Sequence, residues 1–246
     1  VIGVQLALKH ATAGRPGPTA CLFRSNVLRE AVADNGLPEI HETIRLTSPA
    51  KTRPPDAALD AVAEILAAAE APVIVAGNGV RNASAFDAVS EMAELLGAPV
   101  VTSTLGKSAI AETHVLAAGP IGYTGLPLAN DTLGMADTVL VVGCRLKPQE
   151  TCFEHPKLID PNRQRIVQID IEPRNASWTV PAEVALIGDA DLTLRLLQQR
   201  LDGRVDGAAS TARRKAFAAL KAARQYFELC MNLGDDGLRE AVYRGG

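Results

Sequence analysis

Residues 71–80 read Ala-Pro-Val-Ile-Val-Ala-Gly-Asn-Gly-Val, a short unbroken apolar run that stops at a glycine pair. A strand with one wet face would alternate polar and apolar residues. A run apolar at every position fits a parallel strand covered on both sides. The same texture returns along the chain. Pro99–Ser103, Thr138–Val142, Arg165–Ile171 and Val184–Ile187 are predicted strands. Between and around them lie helical patterns, Asp56 to about Glu70, Ala83–Leu96, Leu128–Ala136 and Asp191–Leu201. Leu59, Val62, Ala63 and Leu66 share one face of the first of these helices, with Asp56 its expected N-cap. Strands alternating with amphipathic helices predict an α/β fold, a doubly wound parallel sheet spanning residues 56–201.

On the N-terminal side of this unit, Val1–Ala13 is a predicted helix, closed by Gly14-Arg15-Pro16-Gly17-Pro18 and followed by a short predicted strand, Thr19–Phe23. A helix and a strand cannot bury their own apolar faces, so residues 1–42 read as a partial α/β piece, and the chain as cut from something longer. The proline-bearing stretch 43–55 reads as an inter-domain linker. On the C-terminal side, Asp202–Ser210 is a polar spacer and Thr211–Leu229 another helical pattern, so that 202–246 lead away from the domain.

The chain has 246 residues, 47% hydrophobic and 22% charged, with a net charge of -3. That balance offers no general field for nucleic acid or for an acidic membrane surface. The basic triplet Arg213-Arg214-Lys215 lies in a helical pattern and reads as a solvated face. Apolar runs are strand-sized, well short of the roughly 20 residues a membrane span needs. Cys21, Cys144, Cys152 and Cys230 are scattered without metal-ligand or disulfide-framework spacing, which fits a reducing cytoplasm, and no metal site is expected within the chain. His10, His41, His114 and His155 read as surface or linker residues.

Ligands in parallel α/β sheets sit at the carboxyl ends of the strands. Gly77 and Gly79 let the backbone approach a ligand or turn tightly. The dinucleotide fingerprint would place a further glycine at Asn82 and an acid near Thr102–Thr104, so the standard NAD pattern is absent. Thr104, in Thr102-Ser103-Thr104-Leu105-Gly106-Lys107, offers a hydroxyl to a phosphate or serves turn chemistry. Gly143 and Arg145 put a small residue and then a guanidinium at a strand end, suited to pyrophosphate or to a stacked ring. Asp170 and Asp189 can accept from a ribose hydroxyl or an adenine amino group, and Asp189 can equally cap the next helix. The run Gly119–Gly125, with Gly122 at its centre, offers bare amides to a flat ligand and is followed by Asn130.

Taken in order, these segments resemble the central domain of thiamine diphosphate enzymes of the acetolactate synthase and pyruvate oxidase type. The matching pieces are Ala71–Val80, Ala98–Thr102 with Gly106-Lys107, Gly119–Gly125 with Ala129-Asn130, Ala136-Asp137 leading into Val142–Arg145, Ile169–Pro173, and Gly188-Asp189. Ala11–Pro18 resembles the close of the pyrimidine-binding domain that precedes it. The resemblance implies a Rossmann-like (DHS-like) nucleotide-binding domain between a pyrimidine domain and a pyrophosphate domain. It also implies a parent enzyme that decarboxylates a 2-keto acid such as pyruvate and passes the fragment to an acceptor, as a homo-oligomer using thiamine diphosphate and Mg2+.

By the same resemblance Arg15, Gly122, Gly143, Arg145 and Asp170 inherit contacts to FAD, with ADP or no ligand also found within the family. Leu146-Lys147-Pro148-Gln149 stands where flavin-bearing relatives tend toward Phe-Asp-Asp-Arg, and Arg24 and Asn26 where a Pro and an Asp are usual. No catalytic residue is expected in this chain, because the family's glutamate and its Gly-Asp-Gly…Asn motif have no counterpart in it. Two other readings compete. One is a sirtuin-like deacylase, which the cysteine spacing disfavours, and the other a non-catalytic nucleotide-binding or assembly module.

Overall fold

The computed structural model describes residues 2–31, 42 and 50–224. Its centre is a six-stranded sheet, parallel throughout: β1 (Pro72–Ala76), β2 (Val100–Thr102), β3 (Ala117–Pro120), β4 (Thr138–Val142), β5 (Arg165–Asp170) and β6 (Val184–Ile187), in the spatial order β3-β2-β1-β4-β5-β6. Every residue of β1, β2 and β4 is buried, the state their uninterrupted apolar composition requires. The doubly wound α/β reading therefore describes the observed fold, and the strand order reverses between β1 and β4.

Helices cover both faces. α1 (Ile2–Thr12) precedes the domain. Within the domain lie α2 (Asp56–Ala67), α3 (Asn78–Asn82), α4 (Phe86–Leu96), α5 (Pro127–Gly134) and α6 (Ala190–Leu201), and α7 (Gly207–Arg224) follows them. The expected face of α2 is buried, joined by Ile65. Pro55 occupies its N-cap, so Asp56 lies in the first turn, where it pairs with Arg53 and Arg200. Asp189 caps α6 as expected, its side chain accepting from the Leu192 amide at 3.0 Å.

Several expectations meet a different structure. The helix expected over Ala83–Leu96 begins only at Phe86, as α4, and an unexpected short helix, α3, precedes it; between them Ser84 takes a positive φ of 53° and the Ala85 amide bonds back to the Val80 carbonyl. Thr19–Phe23 forms no strand among the described residues, and Leu22 is 97% exposed there. β3 was not expected, and it overlaps the glycine-rich run only at Gly119-Pro120. α7 begins at Gly207, inside the expected spacer.

The basic triplet on α7 is not simply a solvated face. Arg213 donates from Nε to the Leu96 carbonyl at 2.7 Å, and Arg214 donates to the Glu94 carbonyl. The Leu96 carbonyl is an acceptor that the end of α4 leaves free, while the Glu94 carbonyl also accepts from the Gly97 amide at 3.3 Å. Ser210 adds a bond to the Glu94 carbonyl at 3.2 Å. Further along α7, Lys221 Nζ donates to the carbonyls of His114 (3.2 Å) and Ala117 (2.9 Å) at the β3 edge of the sheet. Burial holds the Lys221 and Arg213 pKa values below their usual ranges.

Candidate functional site

A cleft of about 320 Å³ opens at the carboxyl ends of β1, β4, β5 and β6, above the point where the strand order reverses. Its floor is backbone. The Gly77 amide donates to the Val142 carbonyl at 2.8 Å, the Gly79 amide to the Gly143 carbonyl at 2.9 Å, and the Gly143 amide to the Ile169 carbonyl at 2.8 Å. A β-carbon on Gly77 would lie 2.2 Å from the Gly143 oxygen, one on Gly79 2.5 Å from the Gly143 α-carbon, and one on Gly143 2.5 Å from the Gly79 α-carbon. Gly143 also has a φ of 57°. These glycines exist because two turns touch main chain to main chain.

The walls carry charge. Asp170 ends β5 and is 6% exposed; its Oδ1 accepts from the Glu172 amide (2.9 Å) and from Asn175 Nδ2 (3.1 Å). Gln168 braces this corner, donating to the carbonyls of Cys144 (2.9 Å) and Asn175 (3.2 Å). Arg145 follows β4 and stacks its guanidinium over Trp178, 5.0 Å from the ring centroid, a cation–π contact. Lys51 pairs with Asp189 (3.0 Å) and Asp191 (3.4 Å), and the hydrogen bond it donates to Asp189 raises its pKa. Beyond the cleft's acidic side, Arg174 holds the Glu172 carboxyl down at about 2 through side-chain and backbone hydrogen bonds, with Arg15 adding a smaller attraction.

Of the residues singled out in the sequence, Arg15, Gly79, Gly143, Arg145, Asp170 and Asp189 line this one cleft. Gly77 lies just under it as packing. Thr104 is exposed and opens a short 3-10 turn whose cap is Ser103, which accepts from the Gly106 amide. Gly122 does not line the cleft, though it packs against Glu150, which does: its φ is 100°, and Asn130 clamps it, accepting from its amide at 2.8 Å and donating to its carbonyl at 3.0 Å. The amides of Ile121, Tyr123, Gly125 and Leu126 are likewise bonded to carbonyls, so this run is no bare cradle.

Ser103, from the hydroxyl-bearing stretch after β2, also lines the cleft, as do Lys51, Asn175 and Glu150, which sequence reasoning did not single out. Glu150 accepts from the Lys147 amide at 2.9 Å and lies 3.5 Å from the Cys144 thiol, which burial pushes up far beyond its usual pKa. That thiol is protonated and inert at neutral pH. Among the described residues no group of three or more His, Cys, Asp or Glu side chains is arranged to hold a metal ion, and no helix is long and apolar enough to cross a membrane.

Comparison with known proteins agrees with this geometry. The family described as "Thiamine pyrophosphate enzyme, central domain" matches residues 59–197. A sulfoacetaldehyde acetyltransferase of Castellaniella defragrans is 38% identical over 145 residues, 59% of this chain and 24% of that protein. The large subunit of acetolactate synthase isozyme 3 of Escherichia coli K12 is 32% identical over 195 residues, 78% of this chain and 32% of that protein. A solved structure from Mycobacterium smegmatis, described as thiamin diphosphate-dependent, superposes with a TM-score of 0.50 at 32% identity, over 65% of this chain and 30% of that one. The chain thus spans a quarter to a third of these relatives. On its sheet, its strand order and the match over residues 59–197, the chain belongs to the thiamine pyrophosphate enzyme family, whose central domain it carries.

Proposed function

We propose that this domain holds an adenine nucleotide, ADP or the ADP half of FAD, as a structural ligand within a thiamine diphosphate-dependent enzyme. The parent acts on a 2-keto acid as a carboligase or decarboxylase of the acetolactate synthase kind. The observation that carries the reading is the cleft at the strand-order reversal, with the Asp170 carboxylate at the end of β5 facing the same space as Arg145 at the end of β4. Its volume of about 320 Å³ is at the small end of small-molecule sites and suits a nucleoside diphosphate more closely than a whole dinucleotide.

The residues present fit such a group by their chemistry. Asp170 offers acceptors to a ribose, and Arg145 and Arg15 offer guanidinium donors to phosphate oxygens. Gly79 and Gly143 keep the floor free of side chains. Lys51, tied to Asp189, closes one end. None of these residues takes or gives a proton in a reaction; they bind and orient. In the whole enzyme, thiamine diphosphate held with Mg2+ supplies the carbanion that decarboxylation and carbon–carbon transfer require.

In this reading residues 1–42 are the close of a pyrimidine-binding domain, 43–55 a linker, 56–201 the nucleotide domain and 202–246 the passage toward a pyrophosphate-binding domain. The linker does more than connect: the Thr52 carbonyl accepts from the Asp189 amide at 2.8 Å, so residues 50–52 form a wall of the cleft. The assembled enzyme would be a cytoplasmic homo-oligomer.

The chain's one tryptophan, Trp178, stacks on a cleft residue, so its fluorescence reports occupancy. Titration with ADP is expected to change the emission saturably, and AMP to bind more weakly for want of the second phosphate. FAD that copurifies and survives gel filtration would favour the flavin form, and ADP binding with no retained flavin the ADP form. No response to either, by fluorescence or by calorimetry, would refute a nucleotide site.

A further inference from the structure

We propose that Trp178 is a positioning residue of the cleft: stacked on the Arg145 guanidinium, it holds that group by its face and leaves the N–H edges free for the phosphates of a bound nucleotide. The inference rests on the nucleotide reading above and deepens it, naming the residue that readies the arginine of the site.

Four cations line the cleft: Arg15, Lys51, Arg145 and Lys147. Lys51 is committed to Asp189 and Asp191. Arg15, exposed on the leading piece, is drawn toward Glu172. Lys147 offers a single point charge on a flexible stem. Arg145 differs from all three, because among the described residues its guanidinium meets only the Trp178 ring, 5.0 Å from the centroid. A guanidinium carries five N–H donors in its plane, and a carboxylate partner occupies them. Arg174 shows this outcome, with Nε and Nη2 spent on Glu172 at 2.9 and 2.8 Å. A ring against the plane attracts the cation and takes up none of the donors. Arg145 is therefore held and still unsaturated.

The ring is fixed from both sides along the chain. The Ser177 amide donates to Gln168 Oε1 at 2.8 Å, and the Thr179 hydroxyl donates to the carbonyl of Leu146, the residue after Arg145. The Ala182 amide donates to Ser177 Oγ at 3.0 Å and closes the turn. Gln168 also donates to the carbonyl of Cys144, the residue before Arg145, at 2.9 Å. The turn that carries Trp178 and the segment that carries Arg145 are thus tied to one another directly and through one glutamine. To reach this place Ser177 takes a φ of 53°, uncommon for a residue with a side chain. Trp178 itself is 51% exposed, so half of a large apolar ring gains nothing from burial. What these bonds preserve is its contact with Arg145.

The test is calorimetric titration of ADP into the full 246-residue chain, with Trp178→Leu, which keeps apolar bulk without an aromatic face, and Trp178→Phe, which keeps the face. Ordering a long side chain that was previously held predicts ADP binding about threefold to tenfold weaker in Trp178→Leu, and within about twofold of wild type in Trp178→Phe. The loss should vanish where Arg145→Ala is already present and persist in full beside Arg15→Ala, whereas a merely structural role would weaken binding in both backgrounds alike. A loss under about threefold in Trp178→Leu, no recovery in Trp178→Phe, or an equal loss in the Arg145→Ala background would overturn the inference and leave the nucleotide reading standing. Wild type that binds no ADP would remove both. If Trp178→Leu does not fold, nuclear magnetic resonance of the wild type without ligand decides. The Arg145 δ protons are expected upfield of those of the other arginines, shifted by the ring, and ordinary shifts would overturn the inference.

Discussion

Replacing Gly143 with alanine tests whether the cleft floor is built as described. Two separate costs apply. The φ of 57° places an alanine in the left-handed region, at about 1–2 kcal/mol. Its β-carbon would meet Gly79 backbone at 2.5, 2.9 and 3.0 Å, contacts that no side-chain rotation relieves, and forced overpacking of this kind costs about 1–3 kcal/mol. Together they predict a loss of about 2–5 kcal/mol, or a melting temperature lower by about 4–20 °C for a chain of this size. Two further substitutions separate the costs. Gly203 has a φ of 69° with nothing within 4 Å of the added carbon, so Gly203→Ala carries the conformational cost alone, about 1–2 kcal/mol. Gly79→Ala meets Gly143 backbone at 2.5 Å with no positive φ and carries the steric cost alone. Because Gly79 and Gly143 crowd the same contact, the double variant should be less destabilised than the single effects added together, by about 0.5–3 kcal/mol. Urea unfolding followed by far-UV circular dichroism, with the slope compared between variants, measures all four. If Gly143→Ala unfolds at the wild-type midpoint, or costs no more than Gly203→Ala, the claim that two backbones meet at the floor is refuted.

Other outcomes follow from single contacts. Thr193 is fully buried and its hydroxyl has no hydrogen-bond partner, so Thr193→Val is expected to be neutral or to stabilise by about 1 kcal/mol in the same unfolding assay. Asp189→Ala removes the α6 cap and leaves Lys51 paired with Asp191 alone; the cap alone predicts a loss of about 1 kcal/mol, and a smaller loss than about 0.3 kcal/mol would argue against the capping role. The depressed Glu172 carboxyl contributes stability present above its ordinary pKa near 4.5 and lost as pH falls through about 2. Its chemical shift should therefore titrate near 2 in wild type and nearer 4.5 in Arg174→Ala. Arg145→Ala should alter Trp178 emission without ligand, since the stack is lost; an unchanged spectrum would remove Trp178 as a reporter.

The sheet was legible wherever β-branched and leucine residues ran together. Pro72–Ala76, Thr138–Val142 and Val184–Ile187 have the observed bounds. β3 was not legible because Ala117-Ala118-Gly119-Pro120 has small side chains and a proline, and owes its strand form to pairing with β2 across a register shift. The late start of α4 was hidden because Ala83-Ser84-Ala85 contains neither glycine nor proline. At the site, strand-end residues could be found by position alone, which is how Arg145, Asp170 and Asp189 were reached. The reason for Gly79 could not, since it depends on Gly143, far along the chain. Lys51 escaped because a polar, proline-bearing stretch carries no periodicity, even where tertiary contacts fix it against α6.

Lys221 has a consequence for how the domain behaves when shortened. β3 is an outer strand of the sheet, and the lysine's ammonium covers the carbonyls of His114 and Ala117 there. Unpaired strand-edge groups are templates for another chain's backbone. A chain ending at Leu201 would keep the sheet and the whole cleft, yet would leave the Ala117 carbonyl on that edge uncovered and the last carbonyls of α4 without Arg213 and Arg214. Such a fragment should self-associate as its concentration rises. The cover on this sheet edge is thus supplied by a helix outside the domain.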